Sequence, residues 1–361
     1  MIGIIVPANL KYSPFVSYYI KKLENDRVPY EIISWNRREL EEACDHVFQY
    51  PVVDSERRSV LFGYFKFARF AGKIVRRRKY SGLIVFTVGA AFFMLPTLCG
   101  KYRKRYIFDI RDDSPIVRKL PKAFAKVCAA AHSIGISSPA FSSWFSRDAV
   151  MCHNADMDVI QEHANDQIDQ PNNGLKNIVF AGMLIEGEIN LELVKMLQND
   201  PDFGLGFVGT PCSGRDAIET YVAQNQLSNV FFQGPYNKLD ITTIYRENAS
   251  YVNIIRKKSR VNAQAVPNKL YDAVIAGRPV IVLRHNEAVV QYVEEYGLGI
   301  ILDELNKDEI RKKTAEFEQT KLKTGAYTEN RKRFLERVLR DSQCFEKMIE
   351  DFAVDCGEMN G

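Results

Sequence analysis

Lys269 and Asp272 stand three residues apart in the stretch Val266-Pro267-Asn268-Lys269-Leu270-Tyr271-Asp272-Ala273-Val274-Ile275-Ala276-Gly277-Arg278-Pro279-Val280-Ile281-Val282. Pro267 marks a loop, Asn268 suits a helix N-cap, and Gly277 with Pro279 ends the helix before an apolar run that suits a buried strand. At that spacing the lysine and the aspartate share one helical face. Free N–H groups and an ammonium at a helix start can hold a diphosphate, and a carboxylate one turn later can accept hydrogen bonds from ribose hydroxyls. In outline this is a nucleotide-sugar site; the same spacing also suits an ordinary surface helix.

Such a helix needs a sheet to position it. Apolar runs alternate with helical stretches along the whole chain, the pattern of parallel sheets covered by helices. Strands are expected at residues 2–6, 30–34, 83–88, 105–109 and 133–136, then at 177–181, 204–208, 230–233, 250–254, 279–283 and 299–302. Two doubly wound α/β units follow, with a polar, turn-rich linker over 166–175 between them. The expected domains are 1–165, 176–335 and a terminal helical segment, 336–361, packing back on the first domain. A length of 361 residues accommodates two such cores.

Composition narrows the class. The 46% apolar and 26% charged content fits a soluble globular protein. Seven cysteines without a CxxC pair or a Cys/His cluster read as reduced thiols of a cytosolic protein. The start, Met1-Ile2-Gly3-Ile4-Ile5-Val6-Pro7, reads as a first strand and not as a signal peptide. Uncharged residues 82–100, between basic flanks, are long enough to raise a membrane span, but β-branched residues, a turn at Gly89 and Pro96 favour a buried strand, a turn and a packed helix.

The net charge of +4 is unevenly spread. Residues 1–150 hold 25 lysines and arginines against 13 acids, and the remainder holds 24 against 32. The first half is therefore expected to meet something anionic. The most basic stretch, residues 60–80, has seven basic residues, no acidic one and aromatics throughout. Such a helix can lie in the headgroup region of an anionic leaflet, or it can be a core helix with a basic outer edge. No nucleic-acid-binding module accompanies the charge.

Read in order, the chain resembles the GT-B glycosyltransferases, particularly family 4-like bacterial enzymes of capsule, exopolysaccharide or lipopolysaccharide synthesis. The stretch quoted first is similar to that family's Pro-Ser-Lys-Leu-Tyr-Glu…Ala-Gly-Arg-Pro-Val signature. Weaker echoes follow in the family's order: Phe108-Asp109-Ile110-Arg111-Asp112, Gly135-Ile136-Ser137-Ser138-Pro139, His153-Asn154-Ala155-Asp156, Asn177-Ile178-Val179-Phe180-Ala181-Gly182, Phe207-Val208-Gly209 and Phe232-Gln233-Gly234-Pro235-Tyr236.

The resemblance implies two Rossmann-like domains facing a central cleft, a nucleoside-diphosphate-sugar donor on the second, and a glycan acceptor, lipid-linked, on the first. It implies that Lys269 meets the diphosphate, aided by backbone amides near Asn268 and after Gly182, that Asp272 holds the ribose, and that Tyr236 borders the base. Neither a metal nor another cofactor is required. The protein would be cytoplasmic and peripheral on the inner membrane face, through residues 60–80.

Three departures stand out. Gln264 takes the place of a glutamate that contacts the donor sugar in many members, and it cannot act as a charged group. The loop after Gly182 has no base, so Arg256, at a strand's carboxyl end, is expected to supply that charge. No histidine follows the third strand. A sugar-nucleotide epimerase or hydrolase, or a non-catalytic copy that only binds, therefore stays as an alternative.

In the first domain Asp109, Arg111 and Asp112 end a strand at the face where α/β folds bind ligands. Asp109 or Asp112 can take a proton from an acceptor hydroxyl and Arg111 can grip a phosphate, or the three can form a structural ion pair. Two formal matches carry little. Gly204-Leu205-Gly206-Phe207-Val208-Gly209 spells a dinucleotide motif with its glycines inside the strand, and Asp156-Met157-Asp158 spells DxD at a domain junction.

Overall fold

The computed structural model describes residues 1–37, 39, 41–51, 60–166 and 174–358. The chain divides into two compact units, Met1–Asn154 together with residues from Arg340 onward, and Ala155–Leu339.

The first unit is a seven-stranded parallel sheet of β1 (Ile2–Val6), β2 (Tyr30–Trp35), β3 (Val47–Tyr50), β4 (Gly82–Phe86), β5 (Tyr106–Ile110), β6 (Ser133–Ile136) and β7 (Val150–Met151). Their order is β3-β2-β1-β4-β5-β6-β7, so the winding reverses between β1 and β4. The central strands β1, β4 and β5 are buried along their whole length, as sheets covered on both faces require. Two strands exceed the expectation. β3 is only half-buried and β7 has two residues, and edge strands of this kind lack the continuous apolar run that marks the others.

One face of this sheet carries the Val60–Arg78, Val88–Phe93, Leu95–Cys99 and Pro121–Ala130 helices, which bury Phe67, Ala71, Val75, Leu98, Phe124 and Val127. Residues 82–100 therefore form a strand and two short helices, and no helix among the described residues is long and apolar enough to cross a membrane. Gly89 is not the turn. It lies inside a helix where a Cβ would meet the Tyr64 ring at 2.9 Å, and Thr87 makes the turn instead.

The opposite face is covered by the Phe15–Asn25 helix and by the end of a 33-residue helix, Ala326–Glu358. Phe345, Met348, Ile349, Phe352 and Cys356 of that helix join Ile2, Ile4, Ile84 and Tyr19 in one core. Burying each of its larger apolar side chains stabilises by about 1.5–3 kcal/mol. His132 and His153 add contacts to Asp355 and Asp341 at 2.8 and 3.0 Å.

The second unit is a six-stranded parallel sheet of β8 (Lys176–Ala181), β9 (Phe203–Val208), β10 (Val230–Gln233), β11 (Tyr251–Asn253), β12 (Val280–Leu283) and β13 (Gly299–Leu302). The order is β10-β9-β8-β11-β12-β13, with the reversal between β8 and β11.

Residues 167–173 of the expected linker lie outside the described residues. The division falls at Asn154/Ala155, before the Met157–His163 helix, and again at Leu339/Arg340, not at 165 and 335. A buried arginine explains why that helix belongs to the second unit. Arg331 donates to the carbonyls of His163 and Ala164 and also to those of Val274 and Ile275, joining two helix ends through one guanidinium.

Candidate functional site

The Asn268–Ile275 helix forms because Leu270, Tyr271, Ala273, Val274 and Ile275 recur on its inner side and are buried. Asn268 is not its N-cap. Pro267, extended at φ −75° and ψ 152°, takes that place, and Asn268 is the first helical residue. Proline has no hydroxyl or amide to fold back on the first turn, so no side chain caps those N–H groups. The helix start is left polar and open.

Lys269 lies on the outer side of this helix. Its ammonium stands 4.4 Å from the centre of the Phe180 ring and 3.3 Å from where a Cβ on Gly182 would lie. It makes no hydrogen bond or ion pair among the described residues. Burial pushes its pKa down to about 8, against the opposing pull of Asp272. A cation this desolvated and unmatched is poised for an anion.

Asp272, one turn on, is largely buried, and that burial raises its pKa. Its carboxylate pairs with Lys238, from the short 3-10 turn Lys238–Asp240 after β10. Tyr236 lies between β10 and that turn, where burial first and then the Asp272 charge raise its phenol to about 12.

The reversal between β8 and β11 opens a crevice at their carboxyl ends. There a pocket of about 230 Å³ is lined by Phe180, Glu186, Asn253, Arg256, Pro267 and Lys269. Arg256 keeps one buried guanidinium nitrogen without a partner, and burial lowers its pKa. His285 donates from Nε2 to the Arg256 carbonyl oxygen at 2.8 Å, which puts the ring proton on that nitrogen and ties down the loop. Gln264 closes the Arg260–Gln264 helix with a buried amide oxygen that finds no donor.

The loop after Gly182 contributes acid where a base was sought. Glu186 accepts from the Lys257 N–H at 2.7 Å and from Asn262 Nδ2 at 2.7 Å, tying the loops after β8 and β11 together. Gly182 at φ 128° and Gly209 at φ 146° adopt backbone that side chains avoid. A Cβ on Gly209 would lie 2.4 Å from the Gly182 carbonyl oxygen, so the two strand ends meet closely. Glycines alone permit this approach. Nothing local in the sequence marks Gly209 and Glu186 as site residues, because their roles depend on loops brought together from distant sequence.

In the first unit, the three expected residues separate. Asp109 is fully buried: its carboxylate receives Arg111 at 2.6 Å and the Tyr19 hydroxyl at 2.6 Å. Arg111 also donates to the Cys152 carbonyl and to Asn154 Oδ1, both at 3.0 Å, with Phe15 against its guanidinium. Asp109 and Arg111 thus form the buried structural ion pair that was the alternative to a catalytic role for them. Asp112 is exposed.

Thr87, at the carboxyl end of β4, was missed. Its φ of 68° and ψ of 146° belong to a region almost reserved for glycine, and its buried hydroxyl has no partner. No sequence signal marks such strain.

No family model matches the chain, and no curated protein sequence matches it. Its fold is nevertheless shared with solved structures. A sucrose-phosphate synthase from Thermosynechococcus elongatus matches with a TM-score of 0.62 at 13% identity, over 99% of this chain and 98% of that one. WaaG, a glycosyltransferase involved in lipopolysaccharide biosynthesis, matches at 0.61 and 10%, over 98% of each. A UDP-GlcNAc 2-epimerase from Methanocaldococcus jannaschii matches at 0.55 and 12%, over 87% of this chain and 92% of that one. The fold is thus the two-sheet α/β fold of GT-B glycosyltransferases. A fold that also carries an epimerase does not choose the reaction.

Proposed function

We propose that the chain is a glycosyltransferase that uses a nucleoside-diphosphate sugar and delivers the sugar to a hydroxyl of a glycan, lipid-linked, in the synthesis of surface polysaccharide. One observation carries the donor assignment: an unmatched ammonium, Lys269, stands one turn before a buried carboxylate, Asp272, at the reversal point of a parallel sheet.

In this proposal Lys269, Arg256, the uncapped N–H groups at Asn268 and the backbone at Gly182 hold the diphosphate. Asp272 exchanges Lys238 for ribose hydroxyls, Tyr236 borders the base, and the Gln264 amide takes a sugar hydroxyl. As the bond from the anomeric carbon to the diphosphate breaks, its electron pair moves onto the leaving oxygen, where the two cations stabilise it. The acceptor oxygen bonds to the anomeric carbon and gives up its proton. Exposed Asp112 is assigned to receive it. The charge balance is met by side chains, without a metal. Residues 60–80 hold the protein at the inner face of an anionic membrane, where such an acceptor resides.

Gln264 favours a second reading, an epimerase or hydrolase of the nucleotide sugar or a protein that only binds it, because the amide replaces an acid beside the sugar. A thermal-shift panel of nucleoside-diphosphate sugars tests the donor site. Ligand at a hundredfold its dissociation constant stabilises the folded state by about 2.7 kcal/mol, and no rise in Tm with any member would sink the proposal. With the best ligand, release of nucleoside diphosphate that depends on added glycan supports transfer. Turnover without acceptor supports the second reading.

A further inference from the structure

The helix layer on one face of the first sheet is apolar on both its sides. Facing inward, the Val60–Arg78 helix buries Phe67, Ala68, Ala71 and Val75. Facing outward, it exposes Leu61 at 52%, Phe62 at 47% and Phe65 at 41%, more than a core helix requires. Lys66 lies over Phe62 at 4.6 Å and Arg69 over Phe65 at 5.9 Å, so the aromatics carry cations across their faces.

Beside these rings runs a groove of about 280 Å³, between the Val60–Arg78 helix and the helices Val88–Phe93 and Leu95–Cys99. Arg69, Lys73 and Arg76, at helical spacing, form its charged wall, and Phe65, Phe93 and Pro96 form its apolar one. The three cations have no carboxylate partner among the described residues. The sequence has no acidic residue from Val60 to Phe108 that could supply one. On the other side of the Leu95–Cys99 helix, a second hollow of about 570 Å³ repeats the arrangement, with Lys119, Lys122 and Lys126 around Leu120, which is 44% exposed.

We propose that the groove lined by Arg69, Lys73 and Arg76 is a site for one anionic phospholipid of a bilayer surface. The cations hold the headgroup phosphate, and the first methylenes of the chains lie on Phe65, Phe93 and Pro96. The second hollow extends the same contact, so a face and not a single helix meets the leaflet. Charge decides the occupant. A protein partner would have to bring a carboxylate for every base, whereas an anionic leaflet brings phosphates at every position along the face. The proposal deepens the membrane assignment made above and is independent of the donor site.

The test is flotation of the full chain with vesicles of phosphatidylcholine alone or with phosphatidylglycerol, at several salt concentrations. Binding that appears only with phosphatidylglycerol and weakens with salt is expected. The triple variant Arg69→Gln, Lys73→Gln, Arg76→Gln should lose at least tenfold in affinity, since each base near the surface is worth roughly fivefold. A control with equal charge loss on exposed bases of the first unit outside residues 60–80, Arg27→Gln, Arg103→Gln, Lys347→Gln, should lose less than about threefold, by screening of distant charges.

Equal losses in the two variants would overturn the groove and leave only diffuse attraction. Absence of any preference for phosphatidylglycerol would overturn the membrane assignment as well. A soluble short-chain phosphatidylglycerol should protect the parent protein in a thermal shift better than inorganic phosphate does, and equal protection would make this a free-phosphate site and overturn the lipid. Both variants should keep the thermal shift with the best nucleotide sugar, which separates failure here from failure of the donor site.

Discussion

Each unit sets an acid and a base close together near the carboxyl end of its parallel sheet, and the two pairs are used in opposite ways. Asp109 and Arg111 face each other, with Tyr19, Cys152 and Asn154 completing their hydrogen bonds. Lys269 and Asp272 share a helix face but do not pair with each other; the ammonium is unmatched, and the carboxylate is met by an exposed lysine side chain from another loop. Burial is common to both. The difference lies in saturation: the first pair spends its charge on the fold, and the second keeps charge for a ligand.

The largest effect expected from this contrast is at the saturated pair. Asp109→Asn keeps the shape and strands the Arg111 charge, so stability should fall by roughly 3–5 kcal/mol in urea titration. A loss below about 1 kcal/mol would mean the pair is open after all. Next, Arg331→Leu leaves four carbonyls at two helix ends without their donor, and roughly 3 kcal/mol should be lost. Donor affinity should fall with it, because the Asn268–Ile275 helix loses its anchor.

At the open pair the effect is on binding. Lys269→Ala should weaken a nucleoside diphosphate at least tenfold by calorimetry, about 1.4 kcal/mol, with a much smaller change in folding stability. The same lysine sets a pH dependence. Below pH 8 it is charged, and above about 8 the free protein must take up a proton to bind, so affinity should drop by up to about tenfold per pH unit. An affinity constant from about pH 7 to about pH 9.5 would remove Lys269 from the contact. The smallest effect belongs to Lys238→Ala. Lys238 is 57% exposed, so its loss should cost less than about 1 kcal/mol of stability and leave donor affinity unchanged or slightly raised by freeing Asp272.

How much of this could be read in the sequence follows from distance along the chain. Central strands such as Ile2–Val6 and Val280–Leu283 announce themselves because burial on both faces demands an unbroken apolar run. The helix carrying Lys269 and Asp272 is equally legible, since its stop signals and spacing are local. Its cap was misplaced by one residue because asparagine is the better capping side chain, while proline's fixed φ decides the geometry here.

The closure of Asp109 was not legible, since Tyr19 lies 90 residues away. Nor was the strain at Thr87, where a glycine would have been the readable choice. The two edge strands failed for a third reason: Val47–Tyr50 and Val150–Met151 are too short and too wet to leave a pattern.

The end of the Ala326–Glu358 helix has a consequence for how the chain is made. Phe345, Met348, Ile349 and Phe352 complete the core beneath β1 and β4, yet they are synthesised after every residue of the second sheet. On the ribosome, the amino-terminal sheet therefore waits with that face covered only by the Phe15–Asn25 helix until the last turns of the chain emerge. The part of the protein that emerges first is the part that matures last, and a nascent chain halted before Phe345 should be the form most in need of a chaperone.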